Sequence, residues 1–224
     1  MEQNAWEDVR AQWTVEQLRL KQRLQEEDIV QWRVHPDTNT ATEQDHDVHP
    51  VKRLERVAGV DITPYIPGFL AFREVPALTR LYEDLVARCP QYAPDITLVD
   101  GNGILHPQGF GLASHFGVLM DVPTIGVGKT FLHGESGKVW GAALCNQAAG
   151  VENPVFVSVG HKVSLDSSLR IVKACSRYRI PEPIRQADLR SRQVIRSWEK
   201  HGSMTHQRSK NRWCSSCFPC MFMR

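Results

Sequence analysis

The chain has 224 residues, of which 42% are hydrophobic and 23% charged. That composition is ordinary for a soluble globular protein, and the length leaves room for one domain plus extensions. With 27 basic against 25 acidic side chains and a formal charge of +2, the balance is too even to argue for a nucleic-acid partner by itself, so local clustering has to carry any such case. No apolar run approaches the roughly 18 residues of a membrane span. The acidic N-terminus MEQNAWEDVRAQW lacks the apolar core of a secretion signal. The expectation is therefore a non-secreted protein of the cytoplasm or nucleus (nucleolus included), with Cys89, Cys145 and Cys175 as reduced, apolar-behaving residues.

Residues 5 to 33 are rich in Gln, Glu, Arg and Leu, and Trp6, Val9, Trp13, Leu20 and Leu24 recur at rough helical spacing, which predicts a helix. The polar stretch 35 to 50, with prolines near both ends, predicts a loop. VKRLERVAGVDI supplies a short strand ending on Asp61. From Glu74, EVPALTRLYEDLVARC places Val75, Leu78, Tyr82, Leu85 and Val86 on one helical face, with Pro76 in the first turn, where a missing N–H is harmless. ITLVD (96 to 100) is a buried-type strand that also ends on an aspartate. GFGLASHFGVLMD predicts a helix, VPTIGVG a strand, and KVWGAAL and PVFVSVG two further strands. Residues 163 to 179 predict a helix capped by Ser164 and closed by Pro181 and Pro183. The stretch from Ser197 onward has no period. This alternation predicts an α/β protein: an N-terminal helix and polar loop over 1–50, a core domain over 51–196 and a disordered tail over 197–224.

Two strands ending on Asp61 and Asp100 would, if parallel, bring both acids to one sheet edge, with Glu74 joining them from the start of the next helix. Carboxylates gathered at one point repel unless a cation sits between them, and hard oxygen ligands favour Mg²⁺ or Mn²⁺ over zinc. Such sites commonly activate water against a phosphodiester. The plainer reading makes both aspartates turn formers, since DGNG is a typical turn string. Gly101, Gly103 and His106 in DGNGILHPQGFG fit either a backbone that approaches a flat ligand or a mobile loop. Tyr65, held in Pro64-Tyr65-Ile66-Pro67, fits either a wedge between bases or a packed proline-rich turn. His161, after an apolar strand, is a proton carrier, a phosphate contact or a structural histidine. Arg170, Lys173 and Arg177 repeat at helical spacing and fit a phosphate backbone or a solvated helix face. IGVGKT fails as a nucleotide-binding loop because the motif's first glycine falls on Pro123, and CSSCFPC lacks an obvious fourth zinc ligand.

The strings VAGVD, PYIPGFLAFREVP, LVDGNGILHPQGFGLASHFG, VPTIGVGK, SVGHKVSL and RIPEPIRQADLRSR, in that order, resemble the endonuclease V family over most of residues 55 to 192. The resemblance implies a ribonuclease H-like mixed sheet flanked by helices. It also implies Mg²⁺-dependent cleavage of inosine-containing nucleic acid at the second phosphodiester 3′ to the inosine. Bacterial members act on deoxyinosine in DNA as repair enzymes and animal members favour RNA; this chain is more similar to the animal type. By resemblance, Asp61, Asp100 and Glu74 hold the metal, while Pro64, Tyr65, Ile66 and Pro67 form the wedge. Gly101 and Gly103 help to form the base pocket, and His106, Lys129 and His161 lie near the scissile phosphate or support the metal site. The expected partner is single-stranded RNA, and DNA by extension, bound by a monomer.

The chain departs from the family pattern in three places. A β-hairpin normally separates GVD from PYIP, yet only Ile62 and Thr63 stand between Asp61 and Pro64. GVGKTFL runs almost directly into GESGKVWG, and the tail after Arg196 does not resemble the family. Without the hairpin, the Asp61 strand would expose a row of backbone groups. A two-residue link also reaches only about 7 Å, which couples Asp61 to Tyr65. The alternative function is therefore a catalytically impaired protein that only binds inosine-containing or single-stranded nucleic acid.

Overall fold

The computed structural model describes residues 2–31, 66–131, 137–146, 150, 152–201 and 222–223. The expected Asp61 strand, Pro64 and Tyr65 lie outside the described residues, as does the CSSCFPC string.

Ten elements follow one another: α1 (Glu2–Lys21), α2 (Leu70–Arg88), β1 (Ile96–Asp100), α3 (Leu112–Met120), β2 (Thr124–Gly128), β3 (Ala142–Leu144), β4 (Val155–His161), α4 (Leu165–Ala174), α5 (Glu182–His201) and β5 (Phe222–Met223). The strands form one mixed sheet in the order β3-β4-β2-β1-β5. β1 and β2 run parallel with Asp100 opposite Val127, while β4 is antiparallel to β2, with Phe156 opposite Gly128 and His161 opposite Thr124. The C-terminal ends of β1 and β2 therefore share one end of the sheet with the start of β4, and His161 sits at the other end.

Helices cover both faces, which is why the central strands are buried along nearly their whole length and read as continuous apolar runs. On one face, Ile96, Leu98, Ile125, Val127, Val155, Val157 and Val159 pack with Ile171 and Val172 of α4 and Ile184 of α5. On the other, Val99 meets Ala71 and Val75 of α2 and Leu112, Ala113 and Phe116 of α3. α1 closes over α3 through Leu20, Phe110 and Val118.

Several boundaries differ from the sequence expectation for local physical reasons. α1 stops at Lys21 instead of continuing to 33, because the next residues bond elsewhere. The Gln25 carbonyl accepts from the Lys162 N–H (2.8 Å), and the Asp28 carboxylate accepts from the N–H and hydroxyl of Ser164 and the hydroxyl of Ser167. α2 begins four residues before Glu74, so Pro76 lies inside the helix and not in its first turn. That early start accompanies an aromatic cluster: Phe72 stacks on Trp13 with centroids 4.9 Å apart, and Phe69 packs on both. α4 ends at Ala174, with Ser164 as its cap as expected, accepting from the Ser167 N–H at 3.2 Å. α5, for which the sequence offers no helical expectation, runs from Glu182 through His201. At the far end of the chain, Phe222 and Met223 pair with Thr97 and Ile96.

Candidate active site

Asp100 ends β1, and its carboxylate emerges half-exposed where the ladder stops. Lys129, the first residue after β2, reaches across from the neighbouring strand to within 2.6 Å of Asp100 Oδ2. The parallel register puts them together, because Asp100 pairs with Val127 only two residues upstream of the lysine. Glu74, on the second turn of α2, is the third member. Burial raises its carboxyl above the ordinary range and the nearby Asp100 charge raises it further, against a smaller opposing effect of Arg73. Two carboxylates close enough to feel one another, with a cation already bridged to one of them, form a site that favours added positive charge.

Among the described residues no group of three His, Cys, Asp or Glu side chains gathers as a metal cluster. What is present is a pair of hard oxygen donors, Glu74 and Asp100, whose mutual repulsion a divalent cation would relieve; that donor chemistry fits Mg²⁺ or Mn²⁺.

The segment after Asp100 is no mobile loop: Gly103, Ile104, Leu105 and Phe110 are buried. The Gly103 N–H donates to Ser158 Oγ (2.9 Å), and its carbonyl accepts from the Gly111 N–H (2.9 Å). The Gly101 N–H donates to Val99 O and Val127 O. Gly103 also lies so close to β4 that a Cβ would fall 1.9 Å from the Val159 carbonyl oxygen. Both glycine N–H groups are thus bonded inside the protein.

The neighbouring turn holds His106, whose Nδ1 accepts from the Gln108 N–H at 3.3 Å. Burial, with a smaller effect of Lys21, lowers this imidazole to about 4, so it is neutral near pH 7. Lys21 Nζ donates to the Gln108 carbonyl at 2.6 Å. The Gln108 amide lies against Gly68, which adopts φ +84 directly after Pro67. Gly68 and Gln108 are therefore neighbours, which brings the residue after the proline-flanked segment to this loop.

Other candidates are not gathered here. His161 lies beyond Thr124, three residues from the Val127–Asp100 pair, or about 10 Å along the strands. It is 2% exposed, its Nδ1 accepts from the Gln25 N–H (3.2 Å), and its Nε2 faces Asp121 Oδ1 at 3.5 Å. Burial holds it below the ordinary histidine value. In this structure His161 is a tie between the segment after α1, β4 and the end of α3, with Lys162 reinforcing the same aspartate at 2.7 Å. Nor do the three basic residues form one helical stripe. Arg170 is bonded to Asp166 and Ser167 on α4, Lys173 lies in its last turn, and Arg177 falls past the helix end against Tyr178. Sequence reasoning also missed the contacts of Arg179, which donates to the Lys129 carbonyl at 2.9 Å. No spacing signal marks it, because the contact joins residues 50 apart in the chain.

The endonuclease V family model matches residues 46–189. The chain belongs to the endonuclease V family. Mouse endonuclease V is 34% identical over 252 aligned positions, covering 85% of this chain and 70% of the mouse protein. Human endonuclease V is 33% identical and covers 85% and 84%, respectively. The alignments are longer than the 224-residue chain, so these relatives carry residues with no counterpart here. A crystal structure of the catalytic domain of human endonuclease V with four cysteine substitutions superposes with a TM-score of 0.69 at 34% identity, covering 85% of this chain and 97% of that one. The Ciona intestinalis endonuclease V, crystallised with a DNA containing an inosine followed by a ribo-adenosine, gives a TM-score of 0.54 at 34% identity, covering 60% and 69%. Among the described residues no helix is long and apolar enough to cross a membrane.

Proposed function

We propose that this endonuclease V family member is a Mg²⁺-dependent endonuclease of ribonuclease H-like fold. It cleaves inosine-containing single-stranded RNA, and deoxyinosine-containing DNA by extension, at the second phosphodiester 3′ to the inosine. The carrying observation is the junction of Glu74, Asp100 and Lys129 at one end of a parallel strand pair. The inosine-containing complex of the Ciona relative supports the substrate class. Asp100 and Glu74 would hold a divalent cation together with Asp61, the third acid that the family resemblance implies. When bound, that cation supplies Lewis-acid stabilisation of the phosphorane charge and favours ionisation of water.

The chain's own groups do the rest. Lys129 neutralises Asp100 before substrate arrives and adds positive charge beside the scissile phosphate, a preorganised electrostatic contribution. Glu74, facing Asp100 across the site, would take its share of the cation and help to orient the attacking water as a hydrogen-bond acceptor. The neutral His106 and the Pro67–Gly68 turn line the approach of the base, and Tyr65 fills the gap left when the base is drawn out. Arg170, Lys173 and Arg177 add scattered phosphate contacts rather than a continuous track. His161 contributes through folding. Incubating the purified protein with inosine-containing RNA in Mg²⁺ or EDTA, beside Asp100→Ala, tests the reading; cleavage that survives in Asp100→Ala refutes the residue assignment.

One observation favours a second reading, a nucleic-acid binder without cleavage. The relatives carry residues with no counterpart in this chain, and loss of the hairpin beside Asp61 would weaken the hold on the cation. Tight, EDTA-insensitive binding of inosine-containing RNA without product identifies that case.

A further inference from the structure

Lys129 sits where β2 has just left the ladder, since Gly128 opposite Phe156 is the last pair of the β2–β4 register. Beyond that pair, the carbonyls of Lys129 and Pro154 have no sheet partner to take. Arg179, between α4 and α5, answers both of them. Its Nη2 donates to Lys129 O at 2.9 Å and to Pro154 O at 3.1 Å, and its Nε donates to Pro154 O at 3.3 Å. A planar guanidinium fork suits this double task better than a single ammonium. The segment that carries Arg179 is itself fixed. Asn146 Nδ2 donates to Ser176 O (2.8 Å) and Tyr178 O (3.4 Å), and the Tyr178 ring is covered by Arg185, with Cζ 4.9 Å from its centroid. Arg185 is in turn bonded to Glu182 in the first turn of α5. Among the described residues Arg179 makes no ion pair with a carboxylate, so its fork is given to backbone oxygens alone.

We propose that Arg179 is a positioning residue for Lys129: by pinning the Lys129 carbonyl to the start of β4, it fixes the point from which the lysine side chain reaches Asp100. This rests on the cleavage reading above. It goes beyond that reading in assigning part of the site's geometry to the segment between α4 and α5, through contacts that never touch substrate. A flexible four-carbon stem reaches one carboxylate oxygen reliably only if its backbone origin is held, and small misplacements of such groups are costly in rate.

Two measurements test the assignment. In cleavage assays, Arg179→Gln is expected to lower kcat about tenfold with little change in KM. The loss is expected to vanish in the Lys129→Ala background, so that the double variant is no slower than Lys129→Ala alone. Full additivity of the two losses, or a change confined to KM, overturns the proposal and makes Arg179 a direct substrate contact. Independently of activity, acetylation of lysines under limiting reagent is followed by mass spectrometry, with Lys162 at the opposite end of the sheet as internal reference. Arg179→Gln is expected to raise the Lys129 rate relative to Lys162 by several-fold, in a protein whose melting transition stays cooperative; Arg179→Lys is expected to fall between. An unchanged Lys129 rate overturns the proposal even if the protein cuts no RNA. Conversely, accelerated labelling in a protein that never cuts supports the positioning and refutes only the cleavage reading.

Discussion

Gly103→Ala isolates the packing that sets the site against the sheet. The glycine backbone lies on β4: a Cβ would meet Val159 O at 1.9 Å and the Val159 carbonyl carbon at 2.5 Å. Both are backbone atoms of a central strand, so no side-chain rotation relieves the overlap. Either the 101–105 segment lifts away or β4 bends, and two buried hydrogen bonds stretch, Gly103 N–H to Ser158 Oγ and Ile104 N–H to Val159 O. Overpacking of this kind costs about 1–3 kcal/mol, and each compromised hydrogen bond adds about 1 kcal/mol. A total of about 3–5 kcal/mol lowers the melting temperature of a protein this size by roughly 6–20 °C. The assay is thermal unfolding by circular dichroism, with Ser158→Ala as the companion that removes one hydrogen bond without adding volume; it is expected to cost about 1–2 kcal/mol. Cleavage is expected to fall with Gly103→Ala below its melting point, since Asp100 lies three residues upstream on the same displaced chain. A Gly103→Ala protein that melts within about 2 °C of the wild type refutes the close approach on which this placement rests.

Four further outcomes follow from the same geometry. Lys129→Ala is expected to reduce kcat by roughly 10²-fold with little change in folding, read in single-turnover cleavage assays, because its partner Asp100 is half-exposed and tolerates loss of the pair. The Mg²⁺ concentration needed for half-maximal cleavage is expected to rise as pH falls through the elevated Glu74 value, since a protonated carboxyl surrenders its ligand; Glu74→Gln is expected to abolish that dependence along with most activity. His106 and His115 are buried neutral and lowered from 6.5 to about 4, mainly by desolvation. The unfolded chain therefore binds their protons first, and stability is retained above pH 6.5, declines on acidification and is fully lost to this effect below about pH 4. The loss is about 3 kcal/mol for each histidine and about 6 for the two together, and His115→Phe is expected to flatten the melting-temperature profile over that window. Asp28→Ala removes three acceptor contacts at the start of α4 and is expected to cost about 1–2 kcal/mol, visible as a lower denaturant midpoint.

Much of the fold was legible because the buried strands announce themselves. ITLVD, TIGVG and VFVSVG are short apolar runs bounded by turn residues, and the α3 and α4 patterns carry clear helical faces and, for α4, a serine cap. What escaped notice depended on distant partners. The end of α1 is decided by Asp28 and Gln25 bonding to residues more than 130 positions away, which no local window registers. α5 is hidden because Pro181 and Pro183 read locally as a stop, whereas Pro183 sits in the first turn of a helix that begins at Glu182, where it gives up no intrahelical bond. At the site, the strand-terminal aspartate and the lysine of VPTIGVGK were readable as chemistry, because charged groups directly after buried strands must find partners. His161 was equally conspicuous in sequence but faces the other end of the sheet; a motif of adjacent residues does not tell which end of an antiparallel strand it occupies. Gly101 and Gly103 fit a ligand-approaching backbone or a mobile loop in the sequence; the structure bonds both N–H groups internally and uses Gly103 for close approach to β4.

As proposed, Glu74, Asp100 and Lys129 form a cation-dependent phosphodiesterase site. It is tested most directly by incubating the protein with a single-stranded RNA carrying one inosine, in Mg²⁺ and in EDTA, beside Asp100→Ala and an inosine-free control. The expected result is one cut, one nucleotide beyond the inosine, present only with Mg²⁺ and lost in Asp100→Ala. Cutting that persists in EDTA or in Asp100→Ala, or a folded wild-type protein that never cuts, contradicts it.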